Sequence, residues 1–311
     1  MIKIYKPNFW SSDYINFFSL LLFPVSFVFQ ILIYIKDKFT KQNKYNLPVI
    51  CIGNIYLGGT GKTPLAMKIA SILRKLDKKP AIVRKFYSNQ NDENLLINKR
   101  SLNLITRKSR GEAILEAEIN NYDSVILDDG FQDVSVKKDL SILCFHSKQM
   151  FGNGHTIPSG PLRENLNAIE GAQIIVINGE RNEDFEHKIR RINKNIDIYY
   201  SRYLPVNIKD FKNSNLLAFA GIGNPKNFFN LLIENNINVI KSLSFPDHYN
   251  YTKKDLQNIR QLSEDNNLEI ITTEKDFCRI NASELGEIKH LLLDLEIINE
   301  EKFIKKIKNY L

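Results

Sequence analysis

A chain of 311 residues, 43% of them hydrophobic, is long for a single domain and long enough to give two domains packed cores of their own. Forty-three Lys and Arg against 35 Asp and Glu leave a formal charge of +8, which points to an anionic partner: a nucleotide, a phospholipid or a nucleic acid. Cys51, Cys144 and Cys278 are odd in number, far apart and mostly set in apolar runs, which argues against a disulfide framework or a zinc site and fits a reducing compartment.

Residues 14–35 (YINFFSLLLFPVSFVFQILIYI) carry no charge, and Lys36, Lys38, Lys41 and Lys44 follow at once. The length suffices for a bilayer span, although Asn16, Ser19, Pro24, Ser26 and Gln30 interrupt the run and no small-residue cleavage site follows it. A transmembrane helix, a helix lying in the interface and a buried core helix all satisfy this pattern. The lysine cluster suits an anionic leaflet, so residues 1–36 are expected to form a hydrophobic, membrane-associating helix on the cytoplasmic face.

The most informative stretch runs from Pro48 to Arg74. Val49, Ile50 and Ile52 predict a strand, glycines 53, 58, 59 and 61 a loop, and Leu65, Ile69, Ile72 and Leu73 one face of a helix. Strand, glycine loop and helix in that order form a phosphate cradle, because N–H groups at a helix start favour an anion and glycines let the backbone approach it. Tyr56, Leu57, Gly58, Gly59, Thr60, Gly61, Lys62 and Thr63 are expected to bind the nucleotide. Lys62 would reach the β- and γ-phosphates, and the Thr63 hydroxyl would hold Mg²⁺. A strict P-loop has glycine where Tyr56 stands; Gly58, Gly59 and Gly61 supply the permissive backbone from the other side.

Pro80 to Val83 predict a second strand, after which a polar loop holds Asp92 and Glu93; residues 110–120 predict a helix. The apolar run from Ser124 ends in Asp128 and Asp129. Carboxylates at the end of a strand beside a phosphate loop are where such folds hold magnesium. Strands at 140–145 and 173–177 flank a Gly- and Pro-rich stretch at 151–164, of the kind that builds sites, and a helix follows at 181–193. This alternation predicts an α/β fold: a P-loop NTPase-like, mostly parallel sheet with helices on both faces. Near residue 200 the pattern restarts as a smaller α/β unit. The expected organisation is an N-terminal helix at 1–36, a nucleotide-binding kinase domain at 37–208 and a smaller domain at 209–311.

GGTGKTP at 58–64, DDGFQ at 128–132, FGNG at 151–154 with PSGPLRE at 158–164, AGIGNP at 220–225, FPDH at 245–248 and TEKD at 273–276 together resemble one family, the tetraacyldisaccharide 4′-kinases (lipid A 4′-kinases) of Gram-negative bacteria. The glycine loop is shared with many NTPases; GNG followed by P-x-G-P-L-R-E is far more specific. The resemblance implies ATP- and Mg²⁺-dependent transfer of the γ-phosphoryl group to the 4′-hydroxyl of a lipid-linked glucosamine disaccharide 1-phosphate, at the cytoplasmic side of the inner membrane. It implies Asp92 as general base with His248 in support and a lipid disaccharide as substrate; the lysine cluster adds an anionic membrane surface as partner, basic residues spread along the chain without a recognition module argue against a nucleic acid, and no obligate protein partner is indicated. Those roles are chemically reasonable, since an attacking hydroxyl must lose its proton and Lys62 would neutralise charge on the γ-phosphoryl group. Arg163 would clamp a substrate phosphate, with Asn153 beside it on the substrate.

The chain departs from the family pattern in places. S-R-G-Y reads Val83-Arg84-Lys85-Phe86, Asn91 replaces the glycine of G-D-E, and Asp133 follows DDGFQ where His is common, which leaves Glu93 as the alternative base. Two other classes fit the glycine loop alone: a GTPase or ATPase of the partitioning or metal-insertion type, and a membrane-tethered nucleotide switch. The first typically carries lysine where Leu57 stands, and the second needs no sugar-facing base and no long GNG loop.

Overall fold

The structure, a computed structural model, describes residues 7–11, 16–86 and 91–311, with the backbone alone for residues 91 and 92. In chain order its main elements are α1 (Phe17–Phe39), β1 (Val49–Gly53), α2 (Lys62–Lys75), β2 (Pro80–Lys85), α3 (Asn91–Lys99), β3 (Leu104–Arg107), α4 (Arg110–Ile119), β4 (Ser124–Asp128), β5 (Leu140–His146), β6 (Ile174–Asn178), α5 (Glu183–Ile192) and β7 (Asp197–Pro205). They continue as β8 (Asn215–Ala220), α6 (Pro225–Glu234), β9 (Asn238–Ser244), α7 (Lys253–Glu264), β10 (Glu269–Thr273), α8 (Glu274–Arg279), the short α9 (Ala282–Leu285), β11 (Lys289–Leu291), β12 (Leu293–Ile297) and α10 (Glu300–Lys308).

The described residues form two compact units, one of 7–11, 16–86, 102–202 and 295–311, the other of 91–101 and 203–294. The division is not linear along the chain, as a single boundary near 208 would make it. The segment holding Asp92, expected as a loop of the nucleotide domain, is a helix of the second unit, and α10 returns to the first.

In the first unit the sheet runs β12-β7-β6-β5-β1-β4-β2-β3, and every pairing from β3 to β7 is parallel. Its central strands are apolar on both faces, as a sheet covered on both sides requires: all five residues of β1, β4 and β6 are buried. Val49, Cys51, Val125 and Leu127 pack with Ala113 and Ala117 of α4 and with Phe185 and Ile189 of α5. Residues of the opposite parity, Ile50, Ile52 and Ile82, face the side covered by α2 with Leu65, Ile69 and Leu73. The register sets Ile52 beside Asp128, so the loops leaving β1 and β4 emerge as neighbours at the carboxyl edge of the sheet, where open α/β sheets bind ligands.

The second unit is a parallel four-stranded sheet, β11-β10-β8-β9. Leu216, Ala218 and Ala220 pack on Phe228, Phe229 and Leu232 of α6; the alternate residues Leu217 and Phe219 pack on Leu256 and Ile259 of α7. Helix α3 is fastened to α8 by Arg100, whose Nε and Nη2 lie 2.9 and 2.6 Å from the two carboxylate oxygens of Glu274. Lys99 adds a cation–π contact, 4.5 Å above the Phe277 ring.

Helix α1 is inverted relative to a core helix. Only Ser19 and Ser26 of its residues are buried, while Phe17 is 72% exposed, Leu21 63% and Leu32 60%. The polar interruptions of the run thus have structural work: Asn16 caps the helix through Oδ1 to the Phe18 N–H at 2.9 Å, and the two serines dock it. The core-helix reading of residues 14–35 is excluded by this exposure.

Phe145, Phe151 and Phe185 form an edge-to-face trio with centroids 4.7 to 5.5 Å apart. Phe185→Ala is expected to cost about 3–5 kcal/mol, measurable as a lower urea midpoint with an unchanged slope.

Candidate active site

Gly58 and Gly61 take φ values of +131° and +92°, a backbone that side-chain-bearing residues rarely adopt. What replaces the missing first glycine is Asn54, fully buried, whose Nδ2 donates to Tyr56 O at 2.6 Å and Gly58 O at 3.1 Å and lies 3.0 Å from Thr60 Oγ1. The loop is pinned from inside by one amide. Of the residues expected to bind the nucleotide, Tyr56 has its ring, 4% exposed, in the core, and the Leu57 N–H is bonded to Pro161 O at 2.8 Å. Lys62 and Thr63 open α2, where helix N–H groups lack intrahelical partners.

The DDG turn meets this loop. Thr63 Oγ1 donates to Asp128 Oδ2 at 2.9 Å, and Arg84 Nε lies 3.2 Å from the same oxygen. Asp129 stands at φ +58°, with Lys62 Nζ 3.6 Å and Arg163 Nη1 3.0 Å from its Oδ1. Arg110 donates to Asp129 O at 2.5 Å and pairs with Asp133 at 3.0 Å, so the residue that departs from the family's usual His holds the arginine that holds the turn. Burial alone would raise the pKa of Asp129, but Lys62, Arg163 and Arg110 outweigh it and keep the carboxyl below its usual range. Glu164 goes the other way, raised by burial despite the Gln132 Nε2–H donated to its Oε1 at 2.7 Å.

These groups fit Mg²⁺. Thr63, Asp128 and Asp129 offer hard oxygens at one strand end. Among the described residues no three or more His, Cys, Asp or Glu converge as an all-protein cage, and magnesium is typically held by one or two carboxylates together with nucleotide phosphates and water.

The long loop expected at 151–164 is ordered against the phosphate loop. Arg163 N–H donates to Ile55 O at 2.7 Å, and Gln132 joins the two through Nε2 to Asn54 O at 2.9 Å and Oε1 to Arg163 at 3.4 Å. Arg163 therefore stands beside Asp129 and Lys62. Asn153, expected on the substrate, is hydrogen-bonded within the protein: Nδ2 donates to Phe9 O and Ser159 O at 3.0 Å each, and Oδ1 accepts the His155 N–H at 3.1 Å.

In the second unit, two of the sequence motifs, AGIGNP and TEKD, meet at one buried acid. Asp276, 0% exposed, accepts from the Gly221 N–H at 3.0 Å, Thr273 Oγ1 at 2.6 Å, Tyr251 OH at 3.0 Å and Arg279 Nη1 at 2.9 Å. Burial and the nearby Asp276 charge push the Tyr251 phenol well above its usual range. Arg279 reaches on, with Nη2 3.4 Å from His248 Nδ1. A guanidinium only donates, so this contact favours the tautomer with the proton on Nε2. Asp92 lies in the first turn of α3, its side chain outside the described residues. Glu93 is 3.7 Å from Lys275 on α8. Asn54, Arg110 and Arg279 are not among the residues expected from the sequence, and Gln132 is expected only as the end of DDGFQ; Asn54, set between strand and glycines, carries a readable signal of its own.

A glycine loop opening a helix, a lysine directed at a carboxylate, and a second carboxylate bonded to the loop threonine define a nucleotide-dependent phosphotransferase of the P-loop class. The tetraacyldisaccharide-1-P 4′-kinase family profile matches residues 18–311. A tetraacyldisaccharide 4′-kinase of Pelagibacter ubique (strain HTCC1062) is 41% identical over 311 residues, covering 98% of each chain, and that of Rickettsia akari (strain Hartford) is 33% identical over 99% of this chain and 98% of its own. The chain belongs to the tetraacyldisaccharide-1-P 4′-kinase family. Among solved structures, LpxK from Aquifex aeolicus in complex with ATP matches with a TM-score of 0.73 over 94% of this chain and 99% of that one, at 24% identity, and shows the same fold.

Asn54→Ala should weaken binding of a fluorescent ATP analogue by about tenfold, the scale of one or two lost hydrogen bonds. A titration of the folded variant reads this directly.

Proposed function

We infer that this kinase transfers the γ-phosphoryl group of ATP to the 4′-hydroxyl of a tetraacylated glucosamine disaccharide 1-phosphate, with Asp92 as general base, His248 in support and Lys62 and Arg163 as phosphate-facing cations. The observation that carries the reading is the cluster on Asp129: Lys62 at 3.6 Å and Arg163 at 3.0 Å, brought from two of the motifs that define the family. Mg²⁺ held by Thr63, Asp128 and Asp129 would neutralise charge on the β- and γ-phosphates.

The residues divide the work. Residues 58–63 bind the phosphates, and Lys62 and Arg163 offset charge that grows as the bond to the β-phosphate breaks. Asp92 accepts the hydroxyl proton as the oxygen attacks. His248, its Nδ1 facing Arg279, would orient that carboxylate and tune its pKa. Glu93 is the alternative base.

Helix α1 is long and apolar enough to cross a membrane by length and composition. Its exposed apolar face, followed by Lys36, Lys38, Lys41 and Lys44, supports seating on an anionic leaflet, which we place at the cytoplasmic face of the inner membrane.

Detergent-solubilised protein is expected to transfer ³²P from γ-labelled ATP to a tetraacyl disaccharide 1-phosphate. Asp92→Ala should lower turnover by at least about a hundredfold, the usual worth of a positioned base, while nucleotide still binds; full turnover by that variant would remove Asp92 from the mechanism. Deleting residues 1–36 should move the protein from the membrane to the soluble fraction, and unchanged fractionation would refute the anchor.

A further inference from the structure

The hydroxyls that seat α1 do more than attach it. Ser19 and Ser26 lie seven positions apart, two helical turns on one face, and both bond to the same short loop. Ser19 Oγ donates to Ser159 O at 2.8 Å, Ser159 Oγ donates to Ser19 O at 2.7 Å, and the Ser159 N–H donates to Ser26 Oγ at 2.9 Å. Ser26 Oγ in turn donates to Thr156 O at 2.9 Å. Ser159 is 0% exposed.

Two residues further on, the same loop grips the phosphate loop. Pro161 O accepts the Leu57 N–H at 2.8 Å, and the Arg163 N–H donates to Ile55 O at 2.7 Å, an antiparallel bridge centred on Tyr56 and Leu162. The segment between the two grips is stiff. Leu162 N–H bonds to His155 O at 3.0 Å and Gly160 N–H to Thr156 O at 2.9 Å, and a Cβ on Gly160 would fall 2.2 Å from Asn153 Oδ1. Two residues span at most about 7 Å, so a shift of Ser159 is passed on to Pro161 with little slack.

We propose that Ser159 is a positioning residue for the phosphate loop, and that Ser19 and Ser26, by clasping it, couple the seating of α1 to the geometry in which residues 54–61 receive ATP. Attachment alone would be served by alanine or leucine on the docked face of α1. Reciprocal hydroxyl and backbone bonds specify one orientation of helix and loop, because a buried polar group left unmatched is costly. The proposal rests on nucleotide binding by the phosphate loop and not on the identity of the acceptor or of the base.

The test uses the full chain, in detergent for the first two measurements and after detergent removal for the third, with Ser19→Ala/Ser26→Ala and Ser159→Ala. Measured are the dissociation constant of a fluorescent ATP analogue with Mg²⁺, amide hydrogen exchange across residues 54–61, and co-sedimentation with anionic phospholipid vesicles. The double variant is expected to bind the analogue about tenfold more weakly, the scale of one or two hydrogen bonds. Its exchange at 54–61 should quicken while exchange in β5 and β6 is unchanged, and vesicle binding should persist because the apolar face is intact. Ser159→Ala, which keeps the N–H bond to Ser26, should shift both readouts in the same direction by less. Unchanged affinity and exchange in the folded double variant would overturn the proposal. So would exchange quickened evenly across the first unit, or failure of both variants to fold, since the clasp would then be general scaffolding. No lipid acceptor enters these measurements, so a failed kinase assay leaves their outcome legible.

Discussion

Two adjacent carboxylates sit low in the first unit beside a loop built for anions, and that is tolerable only where cations accompany them. Asp128 is 1% exposed and meets Arg84 and Thr63; Asp129 meets Lys62, Arg110 and Arg163. These partners come from β2, α2, α4 and the long loop, segments scattered over a hundred positions that the acids draw to one point. Oppositely charged groups are thereby held together at one point of the first unit, where a low effective dielectric strengthens their attraction. The αL backbone of Asp129 belongs to the same arrangement: a non-glycine residue held there marks a place where surrounding bonds over-determine the conformation.

A second buried acid plays the corresponding part in the other unit. Asp276 gathers Gly221, Tyr251, Thr273 and Arg279, and His248, itself at φ +55°, donates its N–H to Gly221 O at 3.2 Å. A Cβ on Gly221 would come within 2.9 Å of Tyr251 OH and 3.1 Å of Asp276 Oδ1, which explains why the AGIGNP motif begins as it does. The excursion of residues 91–101 into this unit has a physical reason in the same helix: α8 supplies Glu274 and Lys275 to α3 and Arg279 to His248. Asp92's backbone and the His248 loop are therefore carried by one packed unit, although 155 positions of sequence lie between them.

Much of this was legible in the residues. The strand, loop and helix from Val49 to Lys75, the carboxylates after β4, and the parallel alternation through β6 follow from period, glycine placement and apolar runs, and the structure bears them out. What escaped reading was long-range. Residues 91–99 form a short segment that opens on four polar residues, and what holds it in the second unit comes from far along the chain: Arg100 and Glu93 pair with Glu274 and Lys275 of α8, and Lys99 stacks on Phe277. Nothing local to Leu57 shows that Pro161, over a hundred positions away, accepts its N–H. Asn153 belonged to a specific motif, but its bonds to Phe9 O, Ser159 O and the His155 N–H could not be read from motif membership.

The N-terminal helix poses a question of free energy that the rest of the fold does not answer. Fourteen large apolar residues of α1 are exposed, and at about 1.5–3 kcal/mol for full burial of each such side chain, even half-burial would be worth on the order of 10 kcal/mol. Single exposed leucines are ordinary on soluble proteins, but a contiguous apolar face of this extent marks a surface meant to be covered. Its two serines are turned inward, against the usual order in which hydroxyls face water and leucines face the core. A helix packed in that sense has its hydroxyls met by protein and its apolar side chains left exposed. The proposed seating on a leaflet would cover those side chains without requiring a specific shape, and a lipid-bearing substrate would be found in the same medium.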